Sequence, residues 1–260
     1  MNGGQEGLTS IGESKVRLGA ARLYMSDRYG GVSDSPYDSL NIAFHVGDNE
    51  ESVKKNRARL LERAKMENKR LFWLNQVHGD EIIEVDRNTP QMVFEGDGLM
   101  SDDPSVVLMC MVADCNPIAL YDARHRAIAL LHAGRAGVRL GILTKAAHQM
   151  AQRYDTRMSD LHVYIGASIR GCCYEVSEGI AKDFCAIPRL AVGVRESPKE
   201  GASAYYLDLF ACLKAELELL GVSDGRIFVN PHCSACNARY FSYRREGRTG
   251  RMALLASLEI

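Results

Sequence analysis

Three residues of this chain carry side chains able to act together on a metal ion or a substrate. They are His78 in Asn-Gln-Val-His-Gly, Cys115 in Ala-Asp-Cys-Asn-Pro and His132 in His-Ala-Gly-Arg. Each sits in or beside a glycine- or proline-containing junction that interrupts an apolar run. Two imidazoles and one thiolate make a three-ligand metal set. Such a set suits a zinc ion that keeps one position open for water or substrate. With a weak axial fourth ligand it equally describes a blue-copper centre.

The elements that must position this trio are legible as apolar runs. Leu71–Val77 reads as a short strand ending at His78. Val106–Val112 is continuous, apolar and partly β-branched, as a strand buried on both faces is, and it ends at Asp114-Cys115. Ala127–Leu131 reads the same way and ends at His132. Each member of the trio therefore follows a buried-type strand, and the three converge at one sheet edge if those strands are neighbours. Ser14–Ser26, Glu81–Val85, Pro117–Tyr121, His162–Ile165 and Ile227–Val229 complete the expected strands. Asn49 or Ser52 caps a helix running to about Lys65. Further helices are expected over Gly137–Gln149, Glu178–Cys185, Leu207–Leu219 and, closing the chain, Thr249–Leu258. Tyr29–Asp38 reads as a loop and Gly96-Asp97-Gly98 as a turn. Strands that follow one another in hairpin-like pairs (Leu71–Val85, Val106–Tyr121) argue for an α+β fold with a mixed sheet rather than a doubly wound parallel one.

Other residues have chemistry to offer. Asp114 is placed to orient a ligand histidine, to act as a general base, or only to stabilise the turn before Asn-Pro. Asp97 carries the same ambiguity. Cys233 and Cys236 form a Cys-x-x-Cys pair, but Cys172 and Cys173 are adjacent and lack the paired spacing of a four-cysteine zinc site. These four read as structural thiols rather than a second metal site. Arg239, Arg244, Arg245, Arg248 and Arg251, interleaved with Tyr240, Phe241 and Tyr243, read either as a solvated basic segment or as an anion site, since the guanidinium fork matches phosphate oxygens. No Walker or dinucleotide glycine fingerprint is present.

Composition bounds the rest. The chain has 260 residues, 46% hydrophobic and 25% charged, with a net charge of -1. That is ordinary for a globular protein, and it gives no basic field to favour nucleic acid or anionic membrane. No apolar stretch approaches the roughly 20 residues of a spanning helix. Residues 1–13 are polar and glycine-rich without an apolar segment, which reads as a flexible tail rather than a secretory signal. Residues 14–260 then form a single catalytic domain, cytoplasmic, with its eight cysteines reduced.

Several segments together resemble one family. They are Leu40-Asn41-Ile-Ala-Phe-His45-Val-Gly-Asp48 with Asn56-Arg57; Asn75-Gln76-Val77-His78-Gly79; Gly96-Asp97-Gly98; Ala113-Asp114-Cys115-Asn-Pro; His132-Ala-Gly; Ile165-Gly-Ala-Ser-Ile169 with Cys173-Tyr-Glu-Val176; and Phe241-Ser-Tyr-Arg-Arg-Glu-Gly-Arg-Thr-Gly-Arg251. Their order and reach, from about residue 15 to the end, resemble the YfiH-like family, variously named polyphenol oxidase (laccase-like), peptidoglycan editing factor and purine nucleoside phosphorylase. The resemblance implies a single-domain α/β sandwich of mixed sheets flanked by helices. It implies that His78, Cys115 and His132 are the metal ligands, with zinc the usual occupant and copper the older reading. It further implies phosphorolysis of adenosine, inosine and methylthioadenosine, with adenosine deamination beside it. One departure stands out: the family often continues His-Ala-Gly with Trp and a basic residue, where this chain has Arg135 and Ala136.

On that reading Arg57 and Arg245 hold phosphate, Asn41 or Gln76 positions sugar or base, and Asp114 accepts a proton or orients a ligand. The expected partners are a purine nucleoside and phosphate, with the chain a monomer or homodimer. Copper-dependent phenol oxidation is the competing reading. A multicopper set needs many more histidines than this trio, however, and the other His residues of the seven in the chain are scattered. A third reading makes Cys115 the nucleophile of a hydrolase editing peptidoglycan precursors, with His132 or His78 as base. A non-enzymatic protein retaining the trio as a closed structural zinc site is the fourth.

Overall fold

The strand Val106–Val112 shows how the molecule is layered. Val106, Leu108, Cys110 and Val112 pack into one apolar cluster, while Val107 and Met109 with Met111 pack into another on the opposite face. The period of two is that of a strand with a core on each side. This computed structural model describes residues 9–10, 15–199 and 202–259. The tail expected over residues 1–13 falls outside them apart from Thr9–Ser10, which pairs with Lys15–Leu18.

Two mixed sheets face each other. The first, of seven described strands, runs in the order Thr9–Ser10, Lys15–Leu18, Ala21–Met25, Met252–Leu258, Val106–Val112, Arg70–Asn75, Phe94–Glu95. The second, of six, runs Ile227–Val229, Leu161–Ile165, Asn116–Asp122, Ala127–Ala133, Gly98–Ser101, Ile82–Glu84. Parallel and antiparallel pairings occur in both. Apolar side chains of the two inner faces fill the space between them. The helix Glu50–Ala64 covers the outer face of the first sheet, where Leu60 and Ala64 meet Val107 and Met109. The helices Ile142–Tyr154 and Leu209–Leu219 cover the second. A small third sheet has the order Glu175–Val176, Ala202–Leu207, Val194–Lys199. The result is the expected sandwich of mixed sheets flanked by helices. No helix among the described residues is long and apolar enough to cross a membrane.

Local chemistry explains most boundaries. Asn49 accepts the Ser52 N–H at 3.1 Å and opens the first helix as expected. Asp208 caps the helix Leu209–Leu219 by accepting from Phe210 N and Ala211 N. The helix expected over Gly137–Gln149 is instead two, Arg135–Leu140 and Ile142–Tyr154, because Gly141 adopts a left-handed backbone (φ 83°) between them. The single strand expected over Ser14–Ser26 is a hairpin of Lys15–Leu18 and Ala21–Met25.

Two expectations are corrected more deeply. The closing helix expected over Thr249–Leu258 is the strand Met252–Leu258, inserted between Ala21–Met25 and Val106–Val112. All seven of its residues are buried. Both faces are therefore apolar, no polar alternation marks it, and its Ala- and Leu-rich composition favours a helix locally. Pairing with two neighbours overrides that preference. The second correction concerns the supposed hairpins. Arg70–Asn75 and Ile82–Glu84 belong to different sheets, as do Val106–Val112 and Asn116–Asp122. The chain crosses from one sheet to the facing one at residues 76–81 and again at 113–115, and those crossings carry His78 and Cys115.

Candidate metal centre

His132 lies at the end of the strand Ala127–Ala133. Its parity is that of Ile128 and Leu130, which face the inter-sheet core, so its ring points between the sheets. His78 and Cys115 approach from the two crossings. His78 has a left-handed backbone (φ 60°), as does Asp114 (φ 94°) immediately before Cys115. Such conformations are costly for residues with a Cβ, and they aim the next side chain where a relaxed strand would not. The ligand atoms of His78, Cys115 and His132 all lie within 4.8 Å of one another. The two imidazoles meet edge to face, centroids 4.9 Å apart.

Asp97 organises this trio. Its Oδ1 stands 2.7 Å from His132 Nδ1 and accepts the His78 N–H at 3.1 Å. Its Oδ2 accepts from Gly79 N at 2.6 Å and Val77 N at 3.2 Å. Its own carbonyl accepts the His132 N–H at 2.7 Å. Burial works to raise the Asp97 carboxyl, but these donors hold it below the ordinary carboxylate range. A ligand histidine held through Nδ1 by a carboxylate leaves Nε2 for the metal, the usual second partner of such ligands. Asp97 is hydrogen-bonded to a ring of the trio, whereas the Asp114 carboxylate faces Ser234 and Arg244.

Cys115 is electrostatically prepared. Burial would raise its thiol, but the His132 and His78 imidazoles outweigh that and bring it down to about 6. Burial would lower His132, but the Cys115 sulfur and Asp97 push it up to about 9. Each group thus favours the charged form of the other, and a dication would serve the thiolate in place of the His132 proton. Gly134 leaves the room: a Cβ there would stand 3.0 Å from Cys115 Sγ and 3.1 Å from His78 Cδ2. Donor types, charge, spacing and space all fit a metal ion held by three protein ligands.

The trio opens onto a cavity of about 490 Å³. Arg135, Arg244 and Arg251 line it, with Tyr174, Tyr243 and His45. Burial and the nearby Arg251 and Arg57 lower the His45 pKa. Asp114 lines the same cavity, its carboxylate accepting from Ser234 Oγ at 2.6 Å and Arg244 N at 2.7 Å. Gln76 also lines it, but its amide is spent on both backbone groups of Met111, each at 2.8 Å.

Asn41, Arg57 and Arg245 do not line the cavity, because their polar atoms are engaged elsewhere. Asn41 is fully buried and bonds Ala43 O, Asp48 and the Arg251 N–H. Arg57 lies between the rings of Phe44 and Trp73 and donates to Ile42 O at 2.7 Å. Arg245 donates to the carbonyls of Ser234, Ala235, Asn237 and Tyr240. Asp97 and Arg135, singled out in the sequence only as an ambiguous carboxylate and a departure from a family pattern, are central to the site. His45 had no local signal beyond its place in the Leu40–Asp48 block.

A two-sheet sandwich with an open His-Cys-His set facing an arginine-lined cavity defines a class of metal-site protein, and comparison with known proteins places the chain within it. The chain belongs to the family described as multi-copper polyphenol oxidoreductase laccase, whose model matches residues 22–259. It is 35% identical over 249 residues to a protein of Mycobacterium tuberculosis named purine nucleoside phosphorylase, covering 95% of each. It is 32% identical over 231 residues to the Shigella flexneri protein named purine nucleoside phosphorylase YfiH, covering 88% of this chain and 90% of that one. Among solved structures, hypothetical protein YfiH of Bacillus licheniformis superposes with a TM-score of 0.88 at 27% identity, over 97% of this chain and 99% of that one. YlmD of Geobacillus stearothermophilus superposes with a TM-score of 0.86 at 30% identity, over the same shares.

Proposed function

We propose that this chain is a zinc-dependent purine nucleoside phosphorylase that converts adenosine, inosine or methylthioadenosine and phosphate to free base and ribose 1-phosphate, with adenosine deamination as a companion activity. The observation that carries this reading is that one cavity holds both an open three-ligand metal set and three arginines. The names given to the relatives point the same way.

Phosphorolysis asks the protein to hold phosphate against the anomeric carbon, tolerate positive charge on the sugar and receive a departing anionic base. Arg251, Arg244 and Arg135 supply forked donors for the phosphate. Asn41 acts through its bond to the Arg251 N–H, and Arg57 through Met111, whose sulfur lies 3.6 Å from its Nη2. Arg245 fixes the loop that delivers Ser234 to Asp114. Tyr174 and Tyr243 offer aromatic faces for the purine, and Asp114 is the carboxylate available to accept a proton in the cavity. A zinc ion held by His78, Cys115 and His132 supplies Lewis acidity towards a substrate oxygen or water.

Two other readings use the same residues. Laccase-type chemistry needs further copper ligands. Among the described residues, however, the only histidine-containing metal group is the trio itself. A thiol hydrolase would use the lowered Cys115 thiol directly. The deciding experiment incubates pure, metal-analysed protein with inosine and phosphate. Phosphate-dependent ribose 1-phosphate that disappears in His78→Ala is the expected result. Activity unchanged in His78→Ala, or oxygen uptake with a phenol in its place, would overturn the reading.

A further inference from the structure

Four cysteines gather outside the cavity. Cys172 and Cys173, in the turn that follows Ile169, meet Cys233 and Cys236 of Pro-His-Cys-Ser-Ala-Cys, and all four sulfurs lie within 4.8 Å of one another. Cys236 Sγ is 3.6 Å from Cys172 Sγ and 3.1 Å from Cys173 Sγ. Backbone pairing brings the two segments together: Ser234 N donates to Ser168 O at 3.0 Å, and Ser168 and Cys233 form an isolated parallel bridge. The spacing of these cysteines argues for structural thiols. The tertiary fold gathers them into a set that the spacing does not announce.

We propose that Cys172, Cys173, Cys233 and Cys236 bind one zinc ion as a tetrahedral four-thiolate site. A zinc–sulfur bond of about 2.3 Å gives a tetrahedron with edges of about 3.8 Å, which the observed spacing brackets. A second observation points to the same charge. Arg170 is largely withdrawn from solvent, its guanidinium stacked 4.6 Å from the Phe210 ring centroid, with one nitrogen donating to Asn230 O at 2.8 Å. Its other terminal nitrogen, Nη1, is buried with no hydrogen-bond partner among the described residues. Arg170 interacts electrostatically with Asp208 first, then with Cys233 and Cys172. A zinc ion with four thiolates is a dianion, and it adds negative charge on the cysteine side of this largely withdrawn cation, which four neutral thiols do not. A disulfide would use two of the sulfurs and add no such charge. A polynuclear iron–sulfur cluster would hold its thiolates too far apart for this arrangement.

The site is a knot behind the cavity wall. It joins the turn before Tyr174 to the loop that sends Ser234 to Asp114. Arg244, a cavity arginine, donates to the carbonyls of Cys173 and Glu175 at 3.3 and 2.9 Å. The knot therefore sets the position of Arg244 without touching substrate. It stands or falls independently of the reaction at His78, Cys115 and His132.

Metal analysis of the full chain, purified under reducing conditions without chelator, tests it. The wild type is expected to carry one equivalent of zinc per chain more than Cys236→Ser, whatever occupies the trio, with Cys185→Ser, an exposed cysteine elsewhere, like the wild type. Should Cys236→Ser fail to fold, cobalt(II) substitution of the wild type and of His78→Ala gives the readout. Charge-transfer absorption of the strength of four thiolates, kept in His78→Ala, supports the site. Equal zinc content in wild type and Cys236→Ser, iron in place of zinc, or a Cys173–Cys236 disulfide in the intact mass would overturn it.

Discussion

Asp97 and His132 are joined twice, once from carboxylate to ring at 2.7 Å and once from Asp97 carbonyl to His132 N–H at the same distance. The same carboxylate takes three backbone N–H groups of the turn that carries His78. One side chain therefore sets the relative position of two members of the trio, one at a strand end and one on the crossing between the sheets.

Asp97→Asn keeps the size but replaces one acceptor oxygen with an NH2 that faces donors. Zinc affinity is expected to fall about 10–100-fold, the usual consequence of losing such an outer partner. A competition titration against a chromophoric chelator measures it. An affinity within twofold of wild type would remove Asp97 from the metal centre.

Gly134→Ala places a methyl 3.0 Å from Cys115 Sγ and 3.1 Å from His78 Cδ2. Backbone or ligand must shift, at a cost of about 1–3 kcal/mol in a packed site. Reduced metal occupancy together with a lower melting temperature is the expected pair of results. Full occupancy with unchanged stability would mean that the pocket relaxes freely around the ligands.

Much of this arrangement is legible in the amino-acid sequence. Val106–Val112, Pro117–Tyr121 and Ala127–Leu131 advertise themselves because each is a run of buried residues without a charged side chain. The trio advertises itself because each member interrupts or ends such a run. What the local sequence does not carry is which sheet each strand joins. A short connection reads alike whether it turns back beside its own strand or crosses to the facing sheet, and here it crosses at His78 and Cys115. The partnership of Asp97 with residues 18 to 35 positions away is likewise a product of that crossing. Met252–Leu258 is equally buried on both faces, but it lacks β-branched residues and its Ala- and Leu-rich composition reads as a helix.

Arg251 and Arg245 allow a proposed phosphate role to be told from scaffolding. Arg251 lines the cavity and gives only Nη1 to the Thr249 and Gly250 carbonyls, whereas the Arg245 guanidinium holds four loop carbonyls. Arg251→Met is expected to raise the KM for phosphate about 10–100-fold, the loss of a charge-assisted hydrogen bond of about 1.5–3 kcal/mol, with little change in melting temperature. Arg245→Met is expected to lower the melting temperature and leave that KM within a few-fold. The reverse pattern in steady-state kinetics and thermal unfolding would return Arg245 to the phosphate site.

Acid stability follows from two buried carboxylates remote from the metal centre. Burial alone would raise Asp103, but Arg87 donates to it through Nε and Nη2 at 2.9 and 3.0 Å and Ser105 through N and Oγ, which holds it well below the ordinary carboxylate range. Burial would likewise raise Asp122, but the Thr156 side chain, the His125 ring and the N–H groups of His125 and Arg124 hold it down. A carboxyl depressed in the folded state contributes stability that is complete above its unfolded pKa and is lost as pH falls through the folded value. Unfolding free energy from urea titrations should therefore be flat in this term above about pH 5 and decline below about pH 4, where unfolded aspartates begin to take up protons. Asp103→Asn should cost about 1–3 kcal/mol at neutral pH and reduce the steepness of the acid limb. An acid limb of unchanged slope in that variant would show that Asp103 is not among the groups whose protonation unfolds the protein.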